Sequence, residues 1–359
     1  MTFLHELHVE VPLIRFLNPD GTLSSNCPEI LLEDNFLERA YRHLWLTRRF
    51  DQRAVALQRT GRLGTYASCL GQEAVGTGIG LAMDDQDLFA PYYRDQATQL
   101  LRGVDMLDLL KFWGGMESGN DFARARHDLP NCIPIATQIT HAAGMATALK
   151  IRQQHQAVLT TCGDGATSRG DFYEPLNLAG IWYLPLVLVI NNNQWAISVP
   201  RGRQTGAATL AQKAVAAGIP GIQVDGNDVL AVQFLVAEAL DRARKGKGPS
   251  LIEAVTYRLC DHTTADDMRR YCPAERLEQA WKEEPIARLR RLMEQRHIWN
   301  EDREVALQQE HEQQISKVVN TYLSLPQPDP MSMFSWLYAQ IPDELQAQRM
   351  ELQRRRLAP

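Results

Sequence analysis

Residues 184–190 and 156–162 are near-continuous apolar runs, with no alternation of polar and apolar positions. Runs of that kind are strands buried on both faces, as found in parallel sheets that carry helices on either side. Helical periodicity fills the intervals around them. Helices are expected at 138–154, about 171–182 and 229–245, with strands at 156–162, 185–191, 222–224 and 251–257. This alternation places the chain in the α/β class, as a doubly wound, mostly parallel sheet.

The rest of the chain fits around that unit. Residues 1–30 read as extended and irregular, with a turn at Asn18-Pro19-Asp20-Gly21. A helix is expected over 34–60, with Leu37, Tyr41, Leu44 and Leu46 on or near one face and Gly61 as its stop. Residues 87–93 read as a strand leading into a loop. Gly76, Gly78 and Gly80 lack both the full GxGxxG spacing and a preceding apolar strand, so they indicate close helix packing. Beyond 283 the pattern is helical and charged, with apolar stripes at Ile286, Leu289, Leu292 and Met293 and at Ile315, Val318, Val319 and Tyr322. The prolines between 326 and 330 interrupt it, and a last amphipathic helix ends in basic residues. The expected organisation is an extended segment at 1–33, an α/β domain at 34–275 and a helical region at 276–359.

Composition narrows the function. With 38 Lys+Arg against 43 Asp+Glu the net charge is −5, which offers no footprint for nucleic acid or an anionic membrane. No apolar run approaches the roughly 20 residues of a bilayer span. His5, Glu6, His8 and Glu10 interrupt the N-terminus, unlike a secretory signal. The 6 cysteines are scattered without CxxC spacing, as expected of reduced thiols in a cytoplasmic protein. No GxxxxGK[ST] and no GxSxG occurs, which removes the P-loop and the common hydrolase elbow.

Gly163-Asp164-Gly165 ends one strand, and Asn191-Asn192-Asn193 ends the next. A helix of about 13 residues covers roughly 20 Å, and a strand of about six covers a similar length. The chain therefore leaves the sheet edge at Gly165 and returns to the same edge at Asn193, where open α/β sheets bind ligands. A carboxylate, an amide oxygen and a nearby carbonyl are hard ligands suited to Mg²⁺, and too few to fill its octahedron without phosphate oxygens and water. The glycines let backbone amides approach phosphate, and the next helix offers its N-terminus to the same anion. A lone GDG is equally a glycine turn in which Asp164 caps that helix; the asparagine cluster at this distance favours metal and diphosphate.

With those residues in view, the chain resembles the thiamine diphosphate enzymes, and in particular the alpha subunit of the decarboxylating component of 2-oxo acid dehydrogenase complexes. Further stretches agree: Gly61-Arg-Leu-Gly, Gly71-Gln-Glu-Ala, Tyr92-Tyr-Arg-Asp, Pro134-Ile-Ala-Thr-Gln, Gly170-Asp-Phe-Tyr-Glu, Asn192-Asn-Gln-Trp and Asp261-His-Thr-Thr-Ala-Asp-Asp. The likeness runs in order over about residues 30–345. It implies a thiamine diphosphate-binding fold in which Asp164, Asn193 and the Trp195 carbonyl hold Mg²⁺. Tyr93 and Arg94 would hold the diphosphate, with backbone contacts from Gly163, Gly165 and Ala166, and Ile133 and Ile135 would meet the aminopyrimidine or its linker. His262, on a mobile loop, would be the catalytic acid–base group beside the cofactor. Asn191 stands where some relatives carry a charged residue, Cys132 where branched-chain relatives carry a serine, and Trp195 where Tyr or Phe is usual.

The resemblance also implies partners. The glutamate that activates the aminopyrimidine lies elsewhere in such enzymes, so a beta subunit would supply it in an α₂β₂ tetramer with the cofactor at the interface. A lipoyl-bearing acyltransferase would take the acyl group, and the substrate would be a small 2-oxo acid. Residues 209–226 and 61–64 look most like bacterial pyruvate dehydrogenase alpha subunits. Residues 224–229 and 261–267 also resemble branched-chain enzymes, with acetoin as a further choice and a non-catalytic alpha-like partner as a different class.

Overall fold

A computed structural model describes residues 10–357, without the side chain of residue 357. The reading made from His5, Glu6 and His8 lies outside the described residues. Strands β1 (Leu13–Ile14), β2 (Leu88–Ala90), β3 (Val158–Gly163) and β4 (Leu186–Asn192) are followed by a small hairpin, β5 (Trp195–Ala196) and β6 (Val199–Pro200). Strands β7 (Gly221–Asp225) and β8 (Ser250–Val255) complete the set. Six of them form one sheet in the order β1-β7-β8-β4-β3-β2, and every pairing in it is parallel. β3 and β4 are buried almost throughout, the reason their sequences show no alternation.

Helices Thr137–Ile151 and Gly170–Ile181 cover the sheet around β3 and β4, and Val229–Arg244 packs with Glu73–Ala82 against the main core. The glycine series lies inside Glu73–Ala82, as the packing argument requires. A Cβ on Gly78 would stand 2.6 Å from Val232 Cγ1, and one on Gly76 would stand 2.7 Å from Ala97 Cβ. The first long helix runs Asp34–Arg59 and stops before Gly61, whose φ of 71° is in the left-handed region that favours glycine.

One feature differs from the sequence reading at the N-terminus. Residues 13–14 are not merely irregular but form the edge strand β1, paired with Gln223 and Val224. A buried carboxylate helps to hold the segment there. Asp228 Oδ2 accepts from the amides of Phe16 and Leu17 at 2.6 and 2.8 Å, while Oδ1 caps the helix Val229–Arg244 through Leu230 and Ala231.

The helical C-terminal part, Ala274–Lys282, Pro285–Gln295 and Glu301–Leu323, is packed onto the sheet domain. Ile286, Leu289, Leu292 and Met293 join the core of Leu37, Tyr41 and Leu44, and Ile315, Val319 and Tyr322 pack with Leu110 and Trp113. Arg48, bound to Glu73 and Glu284 at 2.7 Å each, ties the first helix to both regions. The last helix, Asp343–Leu357, has no buried side chain among its described residues. No helix among the described residues is long and apolar enough to cross a membrane.

Candidate active site

Register builds the site. Gly163 pairs with Asn191 across β3 and β4, and Asn192 pairs with Val255 across β4 and β8. The segments that follow these three strands therefore leave the same sheet edge side by side, and a cavity of about 230 Å³ opens there. Every residue to which the resemblance gave a role lines it, whereas Asn191 and Asn192 do not. The segment after β2 contributes Tyr93 and Arg94, and the one before Thr137–Ile151 contributes Ile133 and Ile135. The end of β3 contributes Gly163, Asp164, Gly165 and Ala166, the end of β4 Asn193 and Trp195, and the segment after β8 His262.

One detail differs from expectation. The helix after β3 begins at Gly170, close to where its period placed it, but its N-terminus was expected at the anion and a 3₁₀ turn, Asp164–Ser168, stands between it and β3. That turn, not the helix N-terminus, faces the cavity, and Asp164 does not cap the helix. A Cβ on Gly165 would stand 2.6 Å from Ala196 Cβ, so the turn and the β5–β6 hairpin can meet only over a glycine. Around Gly163 no atom lies within 4 Å of such a Cβ, which leaves open space on the cavity side.

The polar groups suit a hydrated cation and an anion. Asp164 is 1% exposed, and burial pushes its carboxyl up to about 6; Gln204 Nε2 donates to Oδ2 at 2.6 Å. Asn193 Oδ1 accepts from the Trp195 amide at 3.2 Å, and its Nδ2 donates to Gln72 Oε1 at 3.4 Å. Among the described residues no group of three or more His, Cys, Asp or Glu is placed to hold a metal ion. An ion held by Asp164 and Asn193 therefore needs oxygens from its ligand, as Mg²⁺ on a diphosphate has.

Positive charge is in surplus. Arg94 is 3% exposed and donates from Nη2 to the His262 carbonyl at 2.8 Å and from Nη1 to the Ser68 carbonyl. Arg258 is 1% exposed and donates to the Cys260 and Ile197 carbonyls and the Tyr271 hydroxyl, while its Nη1 has no partner. No carboxylate among the described residues lies within ion-pair distance of either guanidinium. Buried cations without counter-ions are costly, and an anion entering the cavity offsets that cost.

The same two cations set the state of His262. Burial first, then Arg94 and Arg258, push its imidazole down to about 4, so it is neutral at pH 7. Arg94 Nη2 also lies 3.2 Å from His262 Nδ1. Arginine can only donate, so Nδ1 accepts and Nε2 carries the proton. The loop is latched by Asp266, whose Oδ2 accepts from the His262 amide at 2.9 Å and from the Tyr271 hydroxyl.

Sequence reasoning passed over Gln204, Arg258, Gln72 and Gln138 as parts of this site. Gln72 and Gln138 lie inside the stretches quoted for the resemblance, so their signal was present without a role. Gln204 and Arg258 had no local signal. A second, more apolar cavity of about 590 Å³ shares Tyr93, Ile133, Ile135 and His262 with the first and adds Ala67, Phe112 and Trp113.

The family described as Dehydrogenase E1 component matches residues 41–331. The 3-methyl-2-oxobutanoate dehydrogenase subunit alpha of Mycobacterium tuberculosis is 38% identical over 347 residues, covering 96% of this chain and 95% of that protein. The pyruvate dehydrogenase E1 component subunit alpha of Staphylococcus aureus is also 38% identical over 347 residues, covering 96% and 94%. Its counterpart in Staphylococcus epidermidis is 37% identical over the same length.

Proposed function

The chain belongs to the dehydrogenase E1 component family, and from that premise we propose that it is the alpha subunit of a 2-oxo acid dehydrogenase acting on pyruvate with Mg²⁺-thiamine diphosphate. The observation that carries this reading is the cavity at the carboxyl ends of β3, β4 and β8, where unpaired Arg94 faces Asp164 and Asn193. When bound, thiamine diphosphate supplies the electron sink for loss of CO₂ from a 2-oxo acid.

The chain's own residues bind, orient and donate hydrogen bonds. Arg94 and Tyr93 would hold the diphosphate, Arg94 with a fork suited to phosphate oxygens, together with the amides of Gly165 and Ala166. Asp164, Asn193 and the Trp195 carbonyl would hold Mg²⁺, and Ile133 and Ile135 would meet the aminopyrimidine end. His262, neutral with its proton on Nε2, lines both cavities and can donate a hydrogen bond that orients and polarises the 2-oxo acid adduct during acyl transfer to a lipoyl group. A beta subunit would complete the site in an α₂β₂ assembly, and a lipoyl-bearing acyltransferase would take the acyl group. The six free cysteines suit a reducing cytoplasm.

His262→Ala is expected to keep cofactor binding and assembly while turnover with a lipoyl acceptor falls on the order of 10²–10⁴-fold. Cofactor titration by calorimetry and steady-state turnover, measured together, check it. Near-normal turnover would make the residue structural.

The apolar cavity beside His262 favours a second reading, a branched-chain 2-oxo acid. The experiment compares kcat/KM for pyruvate and 3-methyl-2-oxobutanoate in the co-expressed pair, using an artificial electron acceptor. A pocket sized for methyl clashes with a branched chain, whereas a larger one loses only about 1–3 kcal/mol of contact per missing methylene. Higher kcat/KM for pyruvate supports the first choice. The reverse order assigns the branched acid, and turnover of neither removes both of these substrate readings.

A further inference from the structure

We propose that Lys213 is a positioning residue for the diphosphate end of the cofactor, acting from behind the turn Asp164–Ser168. The proposal rests on the cofactor reading above. Lys213 is 7% exposed and opens the short helix Lys213–Ala216. Its Nζ donates to the Thr167 carbonyl at 2.8 Å and to Thr167 Oγ1 at 3.0 Å, and it lies over the rings of Tyr173 and Phe172 at 5.1 and 5.7 Å.

No carboxylate among the described residues pairs with this ammonium, whereas buried Arg48 has Glu73 and Glu284 and buried Arg288 has Asp225. Hydrogen bonds and aromatic faces solvate a lysine in part, yet a buried charge without a counter-ion weighs against folding. A neutral side chain that donates hydrogen bonds could hold Thr167 equally well, so the charge itself needs a reason.

Its location supplies one. Thr167 is fully buried; its hydroxyl accepts from Lys213 and donates to the Asp164 carbonyl at 2.8 Å. One chain of hydrogen bonds thus runs from the ammonium to the first residue of the turn. Ala166, Phe172, Leu210 and Ala214 pack in one core, which holds the lysine's helix against that turn. Lys213 does not line the cavity, whereas Gly165 and Ala166 do. Its charge therefore stands one layer of backbone from where a diphosphate would lie, in an interior that screens poorly. It shapes the turn through Thr167, and the bound anion in turn supplies the missing counter-charge.

The test uses the full chain co-purified with its partner, as parent, Lys213→Met and Lys213→Arg, with Mg²⁺-thiamine diphosphate titrated by calorimetry. For the Met variant Kd is expected to rise by about tenfold or more, the scale of losing one close charge partner. Its Tm without cofactor should equal or exceed the parent's, because the uncompensated charge is gone, while the rise in Tm on adding cofactor shrinks. The Arg variant should bind within about threefold of the parent if charge is what matters. Met binding as tight as the parent's, or an Arg variant as weak as Met, would overturn the proposal. So would a Met variant that loses cofactor-free Tm or fails to assemble, since Lys213 would then be a folding element. A parent that binds no cofactor would sink the functional reading itself, an outcome distinct from these.

Discussion

Purified without a partner chain, this protein is expected to show no decarboxylation of any 2-oxo acid and only weak binding of Mg²⁺-thiamine diphosphate. On the proposed reading its cavity offers Asp164, Asn193 and Arg94 to a metal and a diphosphate, but among the described residues no glutamate lines it to pair with an aminopyrimidine. The described residues hold one six-stranded α/β sheet, and from Ala274 onward they form only helices and connecting segments, so they contain no second α/β domain to provide that glutamate. The mouth of the cavity tells the same story. Ile133, Ile135 and Ile197 are 50%, 44% and 56% exposed on its rim, an apolar border around a polar site. Surfaces of that kind are covered in permanent complexes and promote self-association when bare. Titrating a beta subunit into the chain should restore cofactor affinity and 2-oxo acid-dependent reduction of an artificial acceptor together, saturating at one-to-one stoichiometry. Robust decarboxylation by the rigorously beta-free chain would overturn the split-site architecture.

Asp164→Ala in the assembled enzyme is expected to abolish binding of Mg²⁺-thiamine diphosphate, whereas Asp171→Ala should be mild. Among the described residues Asp164 is the one carboxylate lining the cavity and is almost wholly buried, so its loss leaves the cation without a charged ligand from them. Asp171 pairs with Arg169 at the surface, where such pairs contribute little. The same site predicts a pH dependence. Burial raises the Asp164 carboxyl to about 6, so the neutral acid accumulates as pH falls through that value. A neutral carboxyl is a poor cation ligand, hence affinity should weaken on the acid side of pH 6 and hold on the alkaline side. Bound Mg²⁺ competes with the proton, so raising its concentration should move the fall to lower pH. Calorimetry across pH checks both; unchanged affinity in Asp164→Ala would make the metal assignment wrong.

Much of the site could be read along the chain because its chemistry is clustered. A strand ending in Gly163-Asp164-Gly165 and another ending in Asn193 place two polar tips at one edge once helix and strand lengths are compared, and the Gly163–Asn191 register agrees. Other parts were invisible for an equally physical reason. Gln204 reaches Asp164 across 40 positions, Arg94 reaches His262 across 168, and Asp228 draws in Phe16 across 212. A glutamine in a loop or an arginine after a strand looks the same whether it ends in solvent or in a site. The 3₁₀ turn at Asp164–Ser168 was hidden likewise, because its packing against Ala196 and Lys213 comes from segments far along the chain.

The order of residues was enough to establish the α/β class, the helix packing at Gly76, Gly78 and Gly80, and the meeting of Asp164 with Asn193. Each follows from a short-range period, a missing Cβ or a chain length. Strand order was settled by folding, which inserted β7 and β8 between β4 and β1 and brought residues 13–14 in as an edge. Folding also settled the protonation of His262 and the isolation of the Arg94, Arg258 and Lys213 charges. Those depend on burial and on which groups happen to be absent nearby. Burial and absence are properties of a volume, and a linear chain has no volume until it is packed.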